Sequence, residues 1–257
     1  MVGKYHHYWE LFLSLTNKTI RVRYKQSAFG IGWAILQPLA MMLVFVLVFS
    51  SLLKVPSDGL PYALFVYSAL LPWSLFASSL GAAVPSIESN SRLLKKLYVP
   101  RVLFPTAAVM ASLVDFGIGL LIFLGIMLWY KVAFTYILLW SIPVLLIQIM
   151  FTLGVSYLLA PLNAYYRDVR IALPLILRLW MYVSPIIYPL SRVPDSLRIY
   201  YMLNPMAGLM DSWRNVLAKG QAPDLGYLGI AASGAVLLLG VGYFTFRRVE
   251  MTLADVT

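Results

Sequence analysis

The sequence contains no cysteine, two histidines and only ten acidic residues. Without thiols, disulfides, zinc-cysteine sites and thiol nucleophiles are all excluded. The two histidines, His6 and His7, are adjacent and would point apart on a helix, which makes them a poor pair of metal ligands. Charge is scarce, at 12% of residues where soluble domains carry about 25%. A phosphate loop of the form Gly-x-x-x-x-Gly-Lys-Ser/Thr is missing, so this chain is not expected to hydrolyse ATP. Neither His-Glu-x-x-His nor Gly-x-Ser-x-Gly occurs, which removes the zinc-protease and serine-hydrolase patterns. No cofactor or metal is assigned to the chain itself.

What the chain has instead is apolar surface. Hydrophobic residues make up 61%, against roughly 45–50% in soluble domains. Such a chain cannot cover its outside with polar groups, so lipid must be its solvent. The net charge of +10 would also suit nucleic acid or acidic lipid. Its distribution argues for membrane topology, and no nucleic-acid partner is expected. The first apolar run begins after about 25 polar or amphipathic residues and has no small-residue cleavage pattern behind it, so the first span is expected to remain in the mature protein.

A crossing helix needs about 20 residues, and charges divide the chain into six blocks of suitable length. These are residues 33–53, 60–87, 102–130, 136–163, 171–190 and 225–246. Pro61, Pro72 and Pro85 should start, kink and end the second. The third carries Asp115 and the fifth carries Arg178. At 1.5 Å per residue, Asp115 lies about 20 Å along its span and Arg178 about 10 Å along its own. Isolated charges at such depths are costly and should face protein or water. Arg178 is expected to line a wet path for an anionic lipid carrier, with a buried structural pair or a snorkelling arginine as the alternatives.

Between spans five and six, within the outer region 191–224, the apolar stretch Ile199 to Met210 is only 12 residues long, too short to cross. Asn204-Pro205 interrupts it, and Gly208 permits close packing. It reads as two half-inserted helices joined at Asn204-Pro205, with Met206 opening the second; an amphipathic helix lying on the outer surface is the alternative.

Orientation follows from Lys and Arg. One side holds Lys4, Lys18, Arg21, Arg23, Lys25, Arg92, Lys95, Lys96, Arg101, Arg167, Arg170, Arg247 and Arg248, thirteen in all. The other holds six, namely Lys54, Lys131, Arg192, Arg198, Arg214 and Lys219. Positive residues accumulate inside, so both termini are expected in the cytoplasm.

Residues 4–28 read as an amphipathic helix in the membrane plane. Trp9, Phe12, Leu13, Thr16 and Ile20 form its apolar face, and Lys18, Arg21 and Lys25 form its basic one. Residues 88–101 read as a short amphipathic helix. Leu93, Leu94, Leu97 and Tyr98 suit a groove or the membrane, and Arg92, Lys95 and Lys96 suit an acidic partner. A solvated basic loop is the competing reading. Trp73, Phe76, Trp180, Tyr182 and Tyr188 lie in spans two and five beside the kink prolines and Arg178. Their rings would suit the flat apolar faces of sugars in a glycan channel, although most membrane aromatics serve packing or the interfacial belt.

The run from Arg23 through Ser27, Gly30 and Gly32 to Trp33 and Pro38 resembles the start of an ABC-2 type permease of the polysaccharide export branch. Tyr165-Tyr166-Arg167-Asp168-Val169, Ser184-Pro185-Ile186-Ile187-Tyr188-Pro189, Asn204-Pro205-Met206 and Asp211-Ser212-Trp213-Arg214 follow in that family's order and spacing. The resemblance covers nearly the whole chain. It implies an all-α integral membrane fold of six spans, a coupling helix at 88–101, an outer gate at Asn204, Pro205, Met206 and Gly208, and an aromatic ring in the pore. It further implies a homodimer in the bacterial inner membrane, served by two copies of an ABC ATPase subunit that binds ATP and Mg, moving lipid-linked polysaccharide such as O-antigen, capsule or teichoic acid. An ABC-2 permease for a drug or small lipid is the nearest competitor. A secondary transporter would show internal repeats. An intramembrane lipid-handling transferase would need a tighter polar cluster than Asp115, Arg178 and Arg167-Asp168 supply.

Overall fold

The computed structural model describes residues 2–25, 29–94 and 99–250, and among them every regular element is a helix. In order these are α1 (Val2–Tyr24), α2 (Trp33–Phe45, prolonged by a π turn to Leu52), α3 (Tyr62–Ala83), α4 (Ser86–Ser89), α5 (Ser91–Leu94), α6 (Leu103–Trp129), α7 (Ser141–Tyr165, led by a 3-10 turn from Tyr136), α8 (Asp168–Val183), α9 (Asp195–Met202), α10 (Pro205–Arg214, continued as a π turn to Lys219) and α11 (Leu225–Glu250). Among the described residues, five segments are long and apolar enough to cross a membrane: Trp33–Leu52, Tyr62–Ala83, Leu103–Trp129, Tyr136–Tyr165 and Leu225–Glu250.

The helix α3 stands at the centre. Leu64, Phe65, Val66 and Tyr67 have no exposed surface, and four successive helical residues point to four sides. It packs against α2, α6, α7, α8 and α10. Pro61 precedes it, Pro72 lies inside it, and it stops two residues short of Pro85. Apolar burial drives helix association weakly in lipid, so close approach and hydrogen bonds carry it. The long contact between α7 and α11 shows the first device. A Cβ on Gly154 would stand 2.6 Å from the Leu238 carbonyl carbon, and one on Gly242 would run into the carbonyl of Gly154.

The expected fifth crossing, 171–190, is not one continuous helix. The helix α8 has 16 residues and ends at Val183, about 24 Å of helix against a hydrocarbon core of about 30 Å. Ser184, the residue before Pro185, takes an extended conformation with ψ 151°, because the proline ring crowds the helical one. Farther on, the chain breaks at Leu203-Asn204 between α9 and α10, of 8 and 10 residues. The two helices reach beyond the apolar stretch 199–210 on both sides, and Arg214 belongs to the second. Arg214 is 1% exposed. It is therefore an interior residue and not the outer loop charge that the orientation count made of it.

The helix α1 is also placed differently from expectation. Leu15 is buried with Phe104 and Ala107 of α6, with Leu11 and Phe12 beside it, while Trp9 and Leu13 are exposed. Eight residues on, Arg23 and Tyr24 meet Asp115, itself eight residues beyond Ala107. The two helices thus run side by side in the same direction over about 12 Å. The face that docks is Leu11, Phe12 and Leu15, while Trp9, Leu13 and Val22 look outward.

Candidate functional site

A cavity of about 500 Å³ opens between the end of α1, α2, α3 and α6. Its apolar walls come from Trp33, Met41, Leu71, Trp73, Phe116 and Met181. Its polar residues are Arg23, Tyr24, Gln37, Ser74, Ser78 and Asp115. The Asp115 carboxylate receives both the Arg23 guanidinium and the Tyr24 hydroxyl. Arg23 also donates to Ser112 Oγ at 3.2 Å. Asp115 and Arg23 keep about a quarter of their side chains exposed, 25% and 26%, which leaves the pair open to the cavity. Ser74 and Ser78 commit their protons to carbonyls of their own helix, those of Leu70 and Leu75. The cavity therefore offers apolar surface beside a charged pair, a lining suited to an amphiphile. Sequence reasoning placed Asp115 in the membrane but found it no partner, because Arg23 belongs to a helix expected to lie flat.

At the end of the molecule that carries α4, Glu88 gathers three groups. Arg167 Nε and Arg170 NH1 each stand 3.6 Å from its carboxylate, and Asn163 Nδ2 donates at 3.4 Å. Lys18 of α1 donates to Asn90 Oδ1 at 2.8 Å. Up to Leu94, the segment expected as one helix is two short turns, the end of α4 and α5, separated at Asn90. Leu93 and Leu94 are half-buried against Leu15, Phe104 and their neighbours, so these two face the protein's own α1 and α6. The side chain of Arg92 and the residues Lys95, Lys96, Leu97 and Tyr98 lie outside the described residues.

At the opposite end Asn204 organises the break. Its Oδ1 accepts from Met206 N at 3.1 Å and Trp180 Nε1 at 2.9 Å, and its Nδ2 donates to Ser184 Oγ at 3.1 Å. Pro205 occupies the first turn of α10, where its missing N–H costs nothing. Met206 is fully buried, and a Cβ on Gly208 would meet the Tyr227 carbonyl oxygen at 2.9 Å, so both serve packing against α11. Arg214 donates to the carbonyls of Pro185 at 2.7 Å and Ile186 at 3.1 Å, and its guanidinium lies 3.8 Å from the Phe65 ring centre. Burial pushes the Arg214 guanidinium down to about 10 and the Asp211 carboxyl up; each draws the other back toward its charged form. The signal for this pair is readable in the sequence: opposite charges three apart on a helix flanked by the apolar runs 205–210 and 216–218.

The proposed channel aromatics divide. Phe76 has no exposed surface and Trp73 very little. They pack edge to face with Trp180, at centroid distances of 5.3 Å and 6.4 Å, and Phe151 closes the cluster. Phe76 thus belongs to the core and presents no ring to a channel, because edge-to-face neighbours cover it. Tyr182 is exposed on α8, and Tyr188 shares a hydrogen bond of 2.8 Å with Tyr201. Arg178 stands on the exposed side of α8. Among the described residues no three His, Asp or Glu stand together as a metal site.

The family profile described as "ABC-2 type transporter" matches residues 10–218. An O-antigen export system permease protein RfbA from Myxococcus xanthus is 32% identical over 97% of both chains. A protein of the same name from Klebsiella pneumoniae is 29% identical over 96% of this chain and 95% of its own. The polysialic acid transport protein KpsM of Escherichia coli is 23% identical over 91% of each.

Proposed function

The chain belongs to the ABC-2 type transporter family, and from that premise we propose that it is the channel-forming permease subunit of an ATP-driven exporter of lipid-linked polysaccharide, of the O-antigen kind. The observation that carries this reading is the similarity to O-antigen export permeases from one end of the chain to the other. The broken helix α8 counts as a fifth crossing, which makes six and returns both termini to the cytoplasmic side of the inner membrane. The helices α9 and α10 then dip into the outer leaflet as a gate, with Asn204 and Pro205 at its hinge and Met206 and Gly208 seating it on α11. Two copies enclose the channel around a two-fold axis, and two ATPase subunits sit beneath, holding ATP and Mg. The segment 88–101 receives the ATPase; with Leu93 and Leu94 packed on α1, any push on it is passed to α1 as well. The cavity beside Arg23 and Asp115 is a place for the polar end of an amphiphile, its chain lying against α2 and α3. Arg178 and Tyr182, on the open side of α8, and the half-buried Tyr188 beyond its end are the channel-facing groups.

Removal of the gene tests the reading. Cells without the permease should keep synthesising the lipid-linked polymer but retain it on the cytoplasmic leaflet, with none at the surface. Unchanged surface polymer would overturn the assignment.

A further inference from the structure

The helix α8 is tied firmly at its ends and held along its length by one narrow stripe. Only Leu173, Leu177 and Met181 are buried along it, a single row at intervals of four. Ile171, Leu175, Ile176, Leu179, Tyr182 and Val183 are exposed. A helix seated by one row and the half-buried Trp180 has less to repack when it shifts against its neighbours than α3, which is buried on most sides.

Both ends are bound to elements far apart in the molecule. At the start, Arg167 and Arg170 share the Glu88 carboxylate of α4. At the far end, the non-helical residues 184–187 give their polar groups to α10, with its cap Asn204, and to α3. Ser184 Oγ accepts from Asn204, the carbonyls of Pro185 and Ile186 accept from Arg214, and the carbonyl of Ile187 accepts from Tyr62 at 2.9 Å. The two bindings differ in kind. The Glu88 cluster is partly exposed, with Arg167 at 78% and Arg170 at 51%, so water can take over its contacts and they can be remade. Arg214 is buried, and parting it from those carbonyls would strand a charge away from water. The end of α8 and α10 are therefore joined to each other, and both turn about the start of α3, where Tyr62 and Phe65 hold them.

We infer that α8 is the mechanical link between the α4 segment and the α9–α10 pair, with Arg170 and Arg214 as positioning residues at its two ends. A displacement of α4 passes through Glu88 to the start of α8, along a hydrogen-bonded helix that resists compression, and through Arg214 to the α9–α10 junction. This inference rests on the permease reading, since it needs a nucleotide-driven push at α4.

The test uses the complete permease–ATPase complex in membranes, with one cysteine placed at the exposed Leu203 and labelled by an impermeant maleimide with and without trapped nucleotide. In the otherwise unaltered complex, labelling should change on trapping. The Arg167→Glu, Arg170→Glu complex should still assemble and hydrolyse ATP but lose that change, and adding Glu88→Lys should restore it by exchanging the charges. Arg214→Met should abolish the change and Arg214→Lys should keep part of it. If the double arginine variant responds to nucleotide as the parent does, or the charge exchange fails to rescue a folded complex that lost its response, the link is wrong. A parent complex that exports no polymer and shows no nucleotide response would instead sink the permease reading itself.

Discussion

Trp213 Nε1 donates to Gln148 Oε1 at 2.7 Å, and Nε2 of the same amide donates to the carbonyl of Pro72 at 2.6 Å. One fully buried side chain of α7 thus joins α10 to α3 at Pro72.

Replacing it should be costly. Gln148→Leu keeps the bulk but strands a buried indole N–H and removes a partner from the Pro72 carbonyl, at about 1–3 kcal/mol for each unsatisfied group. The expected outcome is a clear drop in thermal unfolding temperature in detergent, with Trp213→Phe in the same background costing little more. Two independent losses that add would show that the two side chains do not act through each other.

The helix pair α7–α11 supplies a matched comparison. Gly242→Ala drives a methyl group into the carbonyl of Gly154 and should destabilise by about 1–3 kcal/mol through overpacking. At Gly240, on the same helix, a Cβ meets nothing within 4 Å. Gly240→Ala should therefore be neutral, or stabilising by up to about 1 kcal/mol through helix propensity. Equal unfolding temperatures for the two variants would refute the close approach.

The pairing of Arg23 with Asp115 predicts how α1 is held. Asp115→Ala should free the C-terminal half of α1 from α6, at about 1–3 kcal/mol, between the values for exposed and buried pairs. Amide exchange of residues 15–24 should rise while that of α3 stays constant. The exchanged pair Arg23→Asp, Asp115→Arg should restore protection; if Asp115→Ala leaves α1 as protected as before, the apolar contacts at Leu15 suffice.

Labelling from outside checks the half-inserted pair. Cysteines at Ser196, in the first turn of α9, and Gln221, beyond α10, both exposed, should both react with an impermeant maleimide in intact cells. One at Ser91 should react only after permeabilisation, and one at the buried Ala207 should be protected. Opposite sides for Ser196 and Gln221 would mean that this region crosses the membrane, and the span count and orientation would have to be rebuilt.

Much of the fold is legible in the chain itself. Uncharged blocks of sufficient length can only be helices in lipid, since no other open structure satisfies its backbone there. Pro61 marks the start of α3, and Asn204-Pro205 marks the break between α9 and α10, because proline acts on the backbone locally. The ordered motifs from Arg23-Tyr24-Lys25 to Asp211-Ser212-Trp213-Arg214 were enough to indicate the family.

What the chain alone does not state is which side of each helix faces protein. In water, an apolar stripe marks the buried face; in lipid, both faces are apolar, and α2, more apolar than α3, is far less buried. Phe76 and Tyr182 therefore look alike in the sequence, although one is enclosed and the other open. The partner of Asp115, and the carbonyls and ring that hold Arg214 in addition to its neighbour Asp211, were likewise decided by tertiary structure. A charge away from water must find an opposite charge or several carbonyls, and those come from helices distant in sequence: Arg23 lies 92 residues from Asp115 and Phe65 lies 149 from Arg214. Sequence spacing fixes only neighbours within a few turns, and these contacts exist only once the helices are packed.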